Sequence, residues 1–189
     1  MLIWYLARGA GISGYTMLSI ATGIGAYGAR TAPRSERRIV LQYAHRAAAM
    51  CGVSLLVIHV VTLLADSYAH VGVLGATVPF MSGYRPAAVT LGLSSMYIIV
   101  AVSVTGALRS EFTRSEKAIR IWRMIHLSSY VAWATSAWHF LAVGTDSGQL
   151  WARSVLFGGI AIVGTGVITR LAEGRPVRVR QVAPKVVAR

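Results

Sequence analysis

The sequence predicts an all-α integral membrane protein: a five-helix transmembrane bundle, N-terminus outside and C-terminus cytoplasmic. Three observations lead there. Of the 189 residues, 55% are hydrophobic and the mean hydropathy is +0.58, well above an ordinary soluble domain. The apolar residues fall in blocks near the ~20 residues that cross a hydrocarbon layer. The basic residues sort to one side of those blocks.

The blocks are about 4–28, 42–65, 87–108, 124–143 and 152–170. The first lacks a basic start and is interrupted by Arg8, so it reads as a span rather than a cleaved leader. The loop 29–44 with Arg46 beyond it carries five cations, Arg30, Arg34, Arg37, Arg38 and Arg46. The loop 109–123 carries five more, Arg109, Arg114, Lys117, Arg120 and Arg123. The end of the chain adds six: Arg170, Arg175, Arg178, Arg180, Lys185 and Arg189. With five spans, these sixteen of the nineteen basic residues share one side, which the positive-inside rule makes cytoplasmic. Arg8, Arg85 and Arg153 fall on the other.

Two units follow: a transmembrane domain over 1–172 and a basic cytoplasmic tail over 173–189. The tail suits anionic headgroups or a cytoplasmic partner. No nucleic-acid partner is expected. The segment 66–86, with Pro79, Gly83 and Pro86, is expected to lie across the outer interface with at most a short helix. Cys51, the single cysteine, excludes an internal disulfide and a cysteine-only metal site. GAGISG (9–14) and GIGAYG (23–28) match a dinucleotide fingerprint but lack its strand–turn–helix context. They read as close helix packing that also leaves room for a flat ligand.

Four of the five histidines fall in two spans, His45 with His59 and His126 with His139. The second and fourth spans run the same way, so His45 and His126 share the inner level and His59 and His139 the outer. Fourteen residues of helix rise about 21 Å and turn about 1400°, so His45 and His59 face nearly one way. Two imidazoles at each of two depths form two slots that suit a flat macrocycle with iron at its centre. Four ligands converging on one zinc ion fit poorly at that separation. A proton relay and plain packing histidines stay open as alternatives. Thirteen residues turn about 1300°, leaving His126 and His139 about 140° apart on an ideal helix. The fourth span must therefore be overwound, kinked or tilted, and Thr135 and Ser136 are placed to help a bend.

The paired spacings, with WYLARG, LLADSYAHVG, VPFMSGYRP, WRMIHLSSYVAW and the outer GTDSG, resemble the ferric reductase-like transmembrane domain family over about residues 4–170. Its relatives include ferric reductases, NADPH oxidases and the haem-binding subunit of the methionine sulfoxide reductase system. The resemblance implies a dihaem cytochrome b of the bacterial inner membrane. Two b-type haems would each have two histidine ligands, His45 with His126 inside and His59 with His139 outside. It implies Arg8, Arg46 and Arg123 as propionate partners, Arg85 as a further outer candidate, and Trp133 between the haems. Electrons would pass from a separate flavin-containing reductase or a quinol to an extracytoplasmic redox partner or ferric iron. NADPH oxidases have a further histidine where this chain has Leu63, which weakens the case for oxygen reduction. About 17 residues follow the last span, so no fused flavin and nicotinamide domains are expected.

The runner-up is a terminal ferric reductase or oxygen-reducing oxidase. The rival of another class is a non-redox membrane assembly protein with structural histidines. Trp4, Trp122, Trp138 and Trp151 read as interfacial belt residues. Asp66, His70, Tyr84 and Asp146 gather in the outer segments, either as acceptor, metal or partner contacts or, the commoner case for such loop residues, as solvated groups.

Overall fold

The computed structural model describes residues 1–29, 31, 35–67, 69–112 and 115–172. Arg30, Arg34, Arg114 and the tail from 173 lie outside the described residues. Every regular element among those described is a helix: α1 (Leu2–Gly28), α2 (Glu36–Ala65), α3 (Gly72–Thr77), α4 (Pro86–Ala107), α5 (Arg109–Phe112), α6 (Glu116–Leu127), α7 (Ser129–Val143) and α8 (Leu150–Ala172). Among the described residues three helices, α2, α4 and α8, are long and apolar enough to cross a membrane. Large apolar side chains such as Met50, Val61, Trp138 and Phe157 point outward from the bundle, as a lipid-facing surface requires.

α1 is long enough to span, but glycine, serine, threonine and tyrosine dilute its hydropathy. The dilution has a structural reason, since α1 packs against α2, α7 and α8. Its inward face is made of small residues, among them Ala7, Ala10, Gly14, Ser19 and Ala26. Small residues let backbones approach where no hydrophobic effect drives helices together in lipid. At Gly23 a Cβ would stand 2.7 Å from the Ile162 side chain of α8. Two hydroxyls of α1 bond back within the helix, Thr16 to the Ile12 carbonyl and Ser19 to that of Tyr15, while the Tyr15 hydroxyl donates across to the Leu156 carbonyl of α8.

α2 and α6 start alike. Ser35 accepts from the Arg38 amide and Ser115 from that of Ala118, with Glu36 and Glu116 in the first turns. Both are N-caps with an acid at the positive end of the helix dipole. α4 opens with Pro86 at its first position, where a missing amide proton costs nothing.

The fourth predicted span is two helices, α6 and α7, divided at Ser128. The Ser128 amide is shared between the carbonyls of Met124 and Ile125, and its hydroxyl donates to Ile125. The shared bond tightens the turn toward 3₁₀ winding. Thr135 and Ser136 do bond back to the preceding turn, but they sit within α7 and do not break it. The expected bend is thus displaced to Ser128. One such turn adds only tens of degrees to the ~140° the histidine spacing lacks.

The connection between α2 and α4 holds α3, as expected, and folds onto both helices. The Phe80 amide donates to the Thr90 hydroxyl, and Ala69 and Val71 are buried.

Candidate functional site

α1 and α2 run antiparallel in a constant register that two histidines report. His59 Nδ1 donates to the Ala7 carbonyl at 2.7 Å, and His45 Nδ1 to the Ala21 carbonyl at 2.8 Å. Fourteen residues along α2 match fourteen along α1. On α4, the Ala88 carbonyl accepts from His139 Nδ1 at 2.8 Å.

Each acceptor lies four residues before a glycine: Ala7 before Gly11, Ala21 before Gly25, Ala88 before Gly92. A helical side chain leans over the turn N-terminal to its own Cα, so residue i shields the carbonyl of i−4. Glycine leaves that carbonyl bare, and an imidazole can reach it. The approach is tight: a Cβ at Gly92 would be 2.7 Å from the His139 ring, at Gly11 2.9 Å from His59, and at Gly25 3.1 Å from His45. The carbonyl oxygen has a second lone pair beyond its helical bond, so it can take the extra donor.

The chemical consequence is one of tautomer. A carbonyl only accepts, so Nδ1 carries a proton in all three rings, and in the neutral imidazole Nε2 then keeps its lone pair. That is the state in which histidine binds a metal, with its ring oriented by the second hydrogen bond.

The histidines fall at two levels. At one, the His45 and His126 ring centroids are 6.1 Å apart at 64°. Two imidazoles on opposite sides of one metal, with bonds of about 2.0 Å plus the half-width of each ring, put their centroids roughly 6 Å apart. At the other level, His59 and His139 line one cleft that is partly open to solvent. Gly11, Gly92, Trp4, Arg8, Leu63, Tyr84 and Asp146 also line it. Between the levels the Trp133 indole donates to the Ser19 hydroxyl at 2.9 Å, joining α7 to α1.

Arg8 donates to the Asp146 carboxylate at the mouth of the cleft, each side chain about a quarter exposed. Asp146 therefore is a partnered group at the site rather than a solvated loop residue. Arg85, at the start of α4, donates to the Ala142 carbonyl. Arg46 and Arg123 are exposed on α2 and α6. Beside the His45 and His126 pair Arg109 packs 4.9 Å over the Trp122 ring.

Trp122 stacks on His126 with ring centroids 4.9 Å apart and donates to the Thr105 carbonyl. Trp4 and Trp122 are both half-exposed near helix ends, and Trp4 also lines the cleft. Trp138 and Trp151 are exposed, in keeping with the belt reading.

Of the four outer residues, Tyr84 and Asp146 reach the cleft. Asp66 instead accepts from the Ala69 amide, and His70 is exposed. Among the described residues no three metal-ligating side chains converge on one point.

Gly11, Gly25 and Gly92 were not singled out as seats for the rings. A signal existed: Gly11 and Gly25 are spaced by the same fourteen residues as His45 and His59. No known protein-family model, curated protein or solved structure matches this chain.

Proposed function

We propose that this chain is a five-span dihaem cytochrome b subunit that carries electrons across a bacterial cytoplasmic membrane, with its N-terminus outside. Its resemblance to the ferric reductase-like transmembrane domain family supports the reading. The observation that carries it is the common state of His45, His59 and His139: each ring donates through Nδ1 to a bared helix carbonyl and keeps Nε2 for a metal. A packing histidine needs a hydrogen bond but no such glycine seat, repeated at matched spacing on α1 and α2.

His45 and His126 would hold the inner haem, His59 and His139 the outer one. Bound haem would supply a one-electron couple suited to electron transfer. The protein's part is to orient the four rings, exclude water along α1, α4 and α7, and set the charge around each level. Trp133, hydrogen-bonded to Ser19, fills space between the levels. Arg8 and Asp146 set the charge at the outer mouth, and Arg109 joins Arg46 and Arg123 as an inner candidate for propionates. The donor is a separate flavin-containing reductase or a quinol; the acceptor is an extracytoplasmic redox partner or ferric iron.

Absorbance spectra of the purified protein test the reading. Reduced protein should show b-type Soret and α bands with two haems per chain, and their lack would reject it. His59→Ala and His139→Ala should each remove the outer haem and keep the inner. The opening of the cleft beside His59 and His139 favours one second reading, a terminal reductase acting on a small acceptor. Stopped-flow oxidation of the reduced protein by ferric chelates and by oxygen separates the two. A non-redox assembly protein predicts no haem and tolerance of single histidine changes.

A further inference from the structure

Three histidines sit on a bared carbonyl; the fourth has the parts of such a seat and lacks the bond. α4 carries a second glycine, Gly106, fourteen residues beyond Gly92, just as Gly25 lies fourteen beyond Gly11. The carbonyl that Gly106 leaves without a Cβ over it is that of Val102; the Thr105 hydroxyl approaches it at 3.2 Å while holding its shorter bond, 2.7 Å, to the Ala101 carbonyl, so a stronger donor can displace it from Val102.

The register brings His126 to it. Ala88 meets His139, Ser95 meets Ala132 at 2.8 Å, and Thr105 meets Trp122 at 3.2 Å. Seven residues along α4 match seven along α7, and ten match ten on into α6, so one antiparallel register survives the break at Ser128. It sets His126 level with Ala101, one residue, or about 1.5 Å of helix rise, from Val102. Trp122, fixed to the carbonyl beside Gly106, stacks on the His126 ring and holds it at that height. His126 Nδ1 is a buried ring nitrogen without a hydrogen-bond partner. A Cβ at Gly106 would meet nothing within 4 Å, so the place beside it is open to a ring. The spacing of His126 and His139, thirteen rather than fourteen, accounts for the unmade bond.

We propose that the Val102 carbonyl, bared by Gly106, is the seat of His126 in the haem-loaded protein, which makes Gly106 a positioning residue for the inner haem. The inference rests on the dihaem reading. Donation from Nδ1 to Val102 fixes the tautomer, leaves Nε2 for the iron and makes the ligand more basic. All four ligands would then be oriented alike, by two glycine pairs of one spacing on α1 and α4.

Gly106→Ala decides the matter, because the present surroundings of Gly106 hold nothing for a methyl group to strike. Haem is counted by pyridine haemochrome, and each haem is followed by redox titration and by its low-spin resonance signal. Gly106→Ala should raise the midpoint potential of the inner haem, alter its low-spin signal and weaken its retention at least tenfold, with the outer haem unchanged. Gly164→Ala, also in open space on α8, should leave both haems as they are and controls for folding. Gly25→Val should remove the inner haem by crowding His45. An inner haem of unaltered potential and signal in Gly106→Ala, beside its loss in Gly25→Val, would overturn the seat and leave the dihaem reading intact. Absence of haem from the unmutated protein would reject the dihaem reading itself, and the seat with it.

Discussion

Replacing Gly92 by alanine tests the ring-on-carbonyl construction where it is tightest. The added Cβ would stand 2.7 Å from His139 Cε1 and 2.8 Å from Nδ1. Carbon atoms pack at about 3.5 Å, so the ring must retreat by roughly 0.8 Å. That stretches the 2.8 Å bond to Ala88 to about the distance at which a hydrogen bond ceases to count. Losing the bond costs about 1 kcal/mol, since the carbonyl keeps its helical partner. Overpacking costs about 1–3 kcal/mol. Alanine returns about 1 kcal/mol of helix propensity. The net is about 1–3 kcal/mol, or roughly 5- to 140-fold weaker retention of the outer haem. The assay is haem content against competing apomyoglobin, read by absorbance. The series should be graded: Gly92→Ala most, Gly11→Ala next, Gly25→Ala least and on the inner haem, following 2.7, 2.9 and 3.1 Å. Full retention of the outer haem by Gly92→Ala, or an equal loss from Gly158→Ala in open space, would refute the reasoning.

Other outcomes follow from the same geometry. Arg8→Gln should lower the outer haem's midpoint potential and Asp146→Asn should raise it, each by on the order of tens of millivolts, because removing a cation or an anion shifts the oxidised form oppositely; shifts of one sign in both would count against a site at the cleft. Ser19→Ala should lower stability in detergent by about 1–2 kcal/mol, since it strands the Trp133 indole donor between α1 and α7; an unchanged thermal midpoint would show that bond to be unimportant. Phosphatase fused after Ser147 should be active and the same enzyme at the C-terminus inactive, as five spans with the N-terminus outside require; the reverse result would invert the orientation.

The periodic features of this protein were legible without coordinates. Apolar block length is a local property, and it marked α2, α4 and α8 as spans. The fourteen residues between His45 and His59 translate through helix geometry alone into one face and two depths. The same arithmetic on His126 and His139 exposed a conflict, and the division at Ser128 falls between them. The glycines in GAGISG and GIGAYG were seen as small packing residues, but their service to the histidines was not. That service depends on which α1 carbonyl lies opposite His45 and His59, and only the register of α1 against α2 decides it.

Tertiary structure alone also decided the partners of the charged and aromatic groups. Arg8 meets Asp146 across 138 positions because the connection between α7 and α8 lies beside the start of α1. Trp122 turns inward onto His126 and Thr105 because α6 packs on α4. Arg109 reaches the level of His45 and His126 through that tryptophan. Helix formation and periodicity depend on neighbours a turn away, so the sequence carries them in plain form. Register and rotation between helices depend on small side chains meeting across the bundle, and only packing selects them.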